Sequence, residues 1–535
     1  MDARSAIAPI RFGLGPRMGD GAVDDPRAWL LDQLAAPDAP RALPEGWDHL
    51  PTTLDAFEVW RDDRDYNRAQ RERTAAMQAG GGSMSPGTAG PGNAAAGTMS
   101  GGAAMPGSAG ASGGGMADAG GMAPGGMAGG GTTGGMAGGN GMAAGGGSPG
   151  AAPPVVQAYR VTPRGQRIQV SSTGSLQLFG AERKAWMGQL ITTDQPFRER
   201  LVSFWLNHFT VSRRESLTGV FAGPMMREAI RPHLTGRFAD MVVAVTRHPA
   251  MILYLNQNTS VGPNSQRGLQ RHLGLNENLA REVMELHTLS PAAGYSQEDV
   301  TSFARLLTGL NIEATKDPMG VVFRPELHEP GTKTIMGRTF APGEASIEEA
   351  LRWLADHPAT HKHLAIKLAR HFVADDPPPA AVAKLEGVLR DTGGDLGATS
   401  RMLVTMEESW TTPLNKLRAP QDYVVSCLRA LGADAGYGEF AANICTVLNQ
   451  PPWIAPQPNG WGDTAADWVT PEGMLQRIDQ AHGMTGRFSR LDSKAVLDTV
   501  LGPLARPETQ QAVMRAGSNR DALTLILGSP EFQRR

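Results

Sequence analysis

Cysteine is nearly absent: the 535 residues hold two, Cys427 and Cys445. Their spacing fits neither a paired zinc motif nor a redox Cys-x-x-Cys, so a disulfide framework and dithiol chemistry are excluded and both thiols read as reduced core residues. Charge of one sign is equally lacking. A formal net charge of −3 leaves no basic footprint of the kind a general nucleic-acid or membrane-surface binder needs. No window carries the roughly eighteen consecutive apolar residues of a membrane span, and the opening "MDARSAIAPIRFGLGPRMGD" has no apolar signal core. A soluble protein, cytoplasmic by default, is expected; export alongside a partner stays open. There is also no nucleophile elbow, phosphate loop or dinucleotide fingerprint, and no fixed-period repeat.

Glycine and methionine, by contrast, are concentrated in one place. Residues 79–153 are built almost wholly from small residues, with Asp118 the only charge and no aromatic side chain. Such a stretch buries too little apolar surface to offset the entropy of ordering its glycines, so a disordered insert is expected. Its eight methionines, Met84 to Met142, could offer thioethers to Cu(I), but their irregular spacing favours a flexible linker. The chain then divides into an N-terminal helical segment, 1–78, packing on a main helical domain, 154–535, with the insert between.

Helical periodicity dominates that domain. Leu201, Phe204, Trp205 and His208 fall at i, i+3, i+4, i+7, which aims His208 into the core. His248-Pro249 breaks one helix and starts the next, and the all-apolar run from Ala250 to Leu255 reads as buried all round. Ser296 with Asp299 forms a capping box, with Gly309 as the stop. A loop-rich stretch follows, with β-like pieces at Val321–Phe323 and Thr334–Met336 suggesting one small hairpin near 320–340. Further helices come after it, then a segment with Trp453, Trp461 and Trp468 set among prolines and glycines. The fold class is mainly α: a large multi-helix domain.

The segments "RFGLGPR", "FWLNHFTVS", "HPAMILYL", "NENLAREVMELHTL", "HEPGTKTIMG", "HPATHKHLAIKLARHFVADDPP" and "PQPNGW" resemble, in order, the signatures of the bacterial family called domain of unknown function 1800. The resemblance implies a single, mostly helical unit and brings no established activity. It also implies a neighbourhood, since such members are often encoded beside a sulfatase-like protein of the domain of unknown function 1501 family. Members usually show His-Asp in the loop signature, where this chain has His328-Glu329.

Chemistry concentrates in "GLNENLAREVMELHTLSP". On a helical wheel Leu275, Leu279, Val283 and Leu286 form the apolar stripe, and Arg281 lies one turn from both Glu277 and Glu285. Such a charge ladder is worth ~0.3 to 0.5 kcal/mol per pair on an exposed face. His287 falls in the apolar stripe in the last turn before Ser290-Pro291, where the helix dipole favours imidazolium and a backbone carbonyl would satisfy it. A metal-dependent enzyme would gather Glu282, Glu285, His287 and His208 around iron, manganese or zinc, with Arg281 positioning the glutamates. His328, Glu329 and Lys333 around the Pro-Gly turn would add a catalytic acid or base and an anchor for an anionic substrate. The competing reading is a non-enzymatic accessory protein docking the sulfatase-like neighbour. For that it would use the basic face His363, Lys367, Arg370 and His371, or the tryptophan-rich tail.

Overall fold

The computed structural model describes residues 3–34 apart from 22, residues 47, 50–80, 159–161 and 167–169, and residues 174–535 apart from 214–216, 412 and 413. The disorder expected of 79–153 falls outside these, except that Ala79 and Gly80 close the helix α1 (Thr53–Gly80). The chain forms two compact units, Met1–Glu72 with Gln157–Arg535, and Arg73–Val156. Everything below concerns the first.

Helices make up most of the described residues, and strands occur there only as three two-stranded antiparallel pairs. The first joins β1 (Tyr159–Val161) to β2 (Arg167–Gln169). In place of one hairpin near 320–340 there are two. β3 (Leu310–Glu313) pairs with β4 (Gly320–Phe323), and β5 (Lys333–Ile335) with β6 (Arg338–Phe340). The reason is local: Met336 and Gly337 take φ of 46° and 80°, the left-handed pair that a two-residue hairpin turn requires, so β5 folds back on its own successor. Met336 is therefore turn, not strand.

Local sequence explains where the helices around the core start. α2 (Gly174–Thr192) leads into α3 (Pro196–His208), whose predicted stripe of Leu201, Phe204, Trp205 and His208 is buried throughout. Truncating a side chain as enclosed as Trp205 costs about 3–5 kcal/mol. Two helices open on His-Pro-Ala, α4 (Pro249–Tyr254) and, further on, Pro358–Phe372. In each the histidine is the cap: His248 Nδ1 accepts from the Ala250 N–H and His357 Nδ1 from the Ala359 N–H, both at 3.1 Å. Proline fits the next position because that N–H would have no helical partner. Leu253 and Tyr254 are partly exposed, so α4 is buried on one face and not all round. The following short helix α5 (Asn278–Glu282) belongs to the glutamate-rich stretch. α6 (Gln297–Leu307) carries the expected reciprocal capping box of Ser296 and Asp299.

Downstream come α7 (Glu344–Ala355), α8 (the helix Pro358–Phe372) and α9 (Pro420–Ala430). Cys427 on α9 and Cys445 are free and buried, and burial pushes the Cys427 thiol up to about 12. Among the described residues no helix is long and apolar enough to cross a membrane.

Candidate functional site

The glutamate-rich stretch departs from one regular helix. α5 stops at Glu282, and Val283–His287 form a π-turn, whose wider winding shifts every later side chain around the axis. Half of the expected ladder remains: Arg281 reaches Glu277 at 3.0 Å and Gln297 at 2.9 Å. No ion pair joins it to Glu285 among the described residues. Glu282 and Glu285 are partly exposed. Burial and the Glu285 charge raise the Glu282 carboxyl, against Arg281. His287 is buried, its ring centroid 6.1 Å from that of His208 and 5.1 Å from that of Phe209. Burial, with the charges of Lys367 and His363, pushes it down to about 3. Desolvation thus overrides the helix dipole that would favour imidazolium. The carbonyl bond expected of His287 belongs to its neighbour, since His208 Nε2 donates to the His287 carbonyl at 3.1 Å while His287 Nδ1 is buried without a partner among the described residues. Among the described residues no three His, Cys, Asp or Glu side chains come together as a metal-ligand group. Glu282, Glu285, His287 and His208 are therefore not brought together as one.

The loop of His328, Glu329 and Lys333 is assembled tightly, but inward. His328 Nδ1–H donates to the Thr308 carbonyl at 2.7 Å and Nε2 accepts the Gly343 N–H at 2.9 Å. Neither ring nitrogen is free. Glu329 accepts from the Asn264 backbone N–H at 2.9 Å and from its side-chain amide at 2.6 Å. Lys333 Nζ donates to the carbonyls of Glu329 and Gly331. A Cβ on Gly262 would meet the Glu329 backbone at 2.6 Å, so glycine is what lets the two loops touch. Burial pushes the Lys333 ammonium down to about 8, yet its protons are spent on backbone oxygens.

A different constellation lines a cavity of about 330 Å³ between α3, α8, the start of α9 and residues 450–467. The tryptophan-rich segment is held against α3 by Asn207, whose side-chain amide donates to the Trp461 carbonyl at 2.9 Å and accepts the Trp461 N–H at 2.7 Å. The preceding Gly460 has φ +77°, and a Cβ there would lie 2.5 Å from the Asn207 carbonyl. That contact explains why "NGW" meets "FWLNHF". Deeper in, Trp453 stacks on Trp186 with centroids 4.9 Å apart.

From α8, at i and i+4, Lys367 and His371 both line this cavity. Lys367 Nζ donates to His208 Nδ1 at 3.0 Å. Because Nε2 of His208 is committed to a carbonyl, the ring is the neutral tautomer whose Nδ1 lone pair faces the amine. His363 binds the Leu286 carbonyl at 3.3 Å, and burial and the Lys367 charge push it down to about 4. Among the described residues no carboxylate lies within ion-pairing distance of Lys367. Burial, with Asp463 opposing and Arg370 assisting, brings its ammonium down to about 8.

His371 Nδ1 sits 2.8 Å from Asp463 Oδ2, and its Nε2 has no partner among the described residues. Burial outweighs Asp463 and pushes His371 down to about 4. The Asp463 carboxyl, which burial alone would raise, is held well below the usual range by His371, Lys416 and Arg535. Lys416 reaches Asp375 at 2.6 Å. Asp422 bridges Arg200 at 2.8 Å and Arg535 at 3.3 Å. Three of the four residues of the basic face of α8, Lys367, Arg370 and His371, thus line a cavity, with Arg370 also exposed, and Asp463, two residues past the "PQPNGW" signature, was not anticipated.

A family profile described as "Protein of unknown function (DUF1800)" matches residues 8–534. No curated protein and no solved structure matches the chain.

Proposed function

From a chain that belongs to the DUF1800 family over nearly its whole length, a family whose description carries no activity, we infer a function for the cavity itself: it binds a small organic anion and acts on it through Lys367. The observation that carries this reading is a lysine lining a tryptophan-walled cavity, hydrogen-bonded to a neutral imidazole and lacking a carboxylate counter-ion. Arg370, which bonds only the Asp375 carbonyl at 3.2 Å among described partners, adds a second positive charge at the same wall. Asp422, Asp463 and Asp467 also line the cavity, but Asp422 and Asp463 are paired with other cations, so the charge at Lys367 and Arg370 is the part left to attract an anion. An amine brought down to about 8 is free for part of the time near neutral pH and takes up protons there, the tuning expected of a general base. His371, oriented by Asp463, can pass a proton onward.

This chemistry calls for no metal ion, and the partly exposed Glu282 and Glu285 have no part in it. The accessory reading, with a sulfatase-like partner, rests on the basic face of α8 and the tryptophan-rich segment. Lys367, Arg370 and His371 of the one and Trp453 and Trp461 of the other line the cavity, and a concave space of this size favours a small molecule over a protein surface.

Thermal unfolding of the full chain with inorganic phosphate, lactate and other small carboxylates tests the reading. At a hundred times Kd a bound anion adds about 2.7 kcal/mol of stability. Wild type should show such a shift with at least one of them, and Lys367→Met and Arg370→Ala should each lose most of it. A shift unchanged in both variants, or none with any anion, refutes the cavity as the working site.

A further inference from the structure

Resting on the reading of that cavity, we propose that Lys367 is a nucleophile that captures the carbonyl carbon of a small 2-oxo acid as an imine, while Arg370 holds the acid's carboxylate. Three observations converge on it. Lys367 Nζ points at His208 Nδ1 from 3.0 Å, and that nitrogen is a fixed acceptor because the ring's other nitrogen is bonded to the His287 carbonyl. The surroundings suppress the charged form of the amine: neutral His208 and His363, a neighbouring Arg370, and no ion-paired carboxylate, with Asp463 attracting only at longer range. Desolvation beside another cation is how amine nucleophiles are activated. Finally, Lys367 and Arg370 line one cavity, with Trp186, Phe204, Trp453 and Trp461 supplying apolar wall for the acid's carbon chain. Lys333, with an equally lowered ammonium, also faces an imidazole, His328 Nε2 at 3.4 Å, but that nitrogen already accepts the Gly343 N–H, two carbonyls take the lysine's other donors, and Lys333 does not line this cavity.

The step balances without any oxidant or reductant. The Nζ lone pair forms the N–C bond, the carbonyl π pair moves to oxygen, and one Nζ proton passes to His208 Nδ1. His208 Nδ1–H returns that proton to the oxygen, a second proton from solvent completes a water that leaves, and the nitrogen lone pair closes the C=N bond of the iminium, which keeps one N–H. Hydrolysis returns amine and oxo acid, so the resting protein carries no adduct.

The full chain is incubated with pyruvate and sodium cyanoborohydride at about pH 8 and mapped by peptide mass. Reduction converts the iminium to a stable N-carboxyethyl lysine. The expected result is modification of Lys367 about tenfold or more above Lys362, an exposed lysine on the same helix, with loss of that adduct in Lys367→Arg. Comparison within the wild-type chain needs no variant to fold. Equal modification of the two lysines, or none at Lys367, overturns the proposal. Lactate has the same charge and no ketone, so it separates the two ideas. A lactate-dependent thermal shift without a pyruvate adduct overturns imine capture and leaves the cavity standing. Absence of the adduct together with absence of a shift with every anion tested overturns both.

Discussion

Two regions of this protein hold a histidine, a lysine and a carboxylate within a few residues or a few ångströms, and they have opposite meanings. Around His328 both ring nitrogens and both Glu329 oxygens are bonded to backbone or to Asn264, and the Lys333 ammonium is spent on two carbonyls, with His328 Nε2 a longer contact at 3.4 Å. Around His371 one imidazole nitrogen has no partner among the described residues, and Lys367 lines a cavity with a neutral imidazole as its hydrogen-bond partner. Lys333 and Lys367 are both pushed down to about 8 by burial. A shifted ammonium therefore does not mark a site by itself. What separates the two is whether donors and acceptors remain unspent, since a buried polar group left open is the one that a ligand can satisfy.

Acid should break the cavity region first. His287, His363 and His371 sit near 3, 4 and 4, below the ordinary value of about 6.5. Between those limits the unfolded chain takes up protons that the folded chain refuses, so stability falls as pH drops below about 6.5, by at most about 1.4 kcal/mol per pH unit for each group. Urea unfolding followed across that window should show the loss, and His287→Gln should flatten the slope. A flat profile in the wild type means that these rings are charged or exposed.

The next effect belongs to the loop. Glu329→Ala strands the Asn264 donors and should lower stability by about 2–4 kcal/mol, measured by denaturant midpoint. Lys333→Met strands two carbonyls and should cost about 1–3 kcal/mol. Lys367→Met removes a desolvated charge that no carboxylate balances, so it should stay within about 1 kcal/mol of wild type. Equal costs for the two lysine variants would erase the distinction between the regions. Smallest of all, Arg281→Ala breaks an exposed pair with Glu277 and should shift stability by no more than about 0.5 kcal/mol.

Much of the fold was legible because its signals are local. The Ser296–Asp299 box, the His-Pro start of α4 and the stripe on α3 each depend on residues within two turns. The π-turn at Val283–His287 was not, because no residue type announces it, and the packing it gives His287 against His208 and Phe209 joins residues far apart in sequence. The hairpin expected near 320–340 is present as β5–β6, and the second was missed because Val321–Phe323 found its partner upstream, across a longer loop than the Met336-Gly337 turn. His208 was correctly aimed inward, but its partner is Lys367, 159 residues away. Lys367 and His371 were noticed as a basic face, and Asp463, 92 residues beyond His371, is a lone aspartate in a loop. A site drawn from four separated segments leaves no spacing to recognise. The compact "HEPGTK" cluster, for its part, looked catalytic because short sequence separation is visible and hydrogen-bond satisfaction is not.

The most direct test of the account is competitive acylation of all lysines in the full chain, read residue by residue against pH. The groups facing Lys367 are His208, His363, Arg370 and Asp463, and with them in place its reactivity should reach half its maximum at about 8. Lys333 should stay unmodified at every pH at which the chain is folded. Lys367 protected like Lys333, or Lys333 reacting like Lys367, would contradict the claim that one cluster is a site and the other a staple.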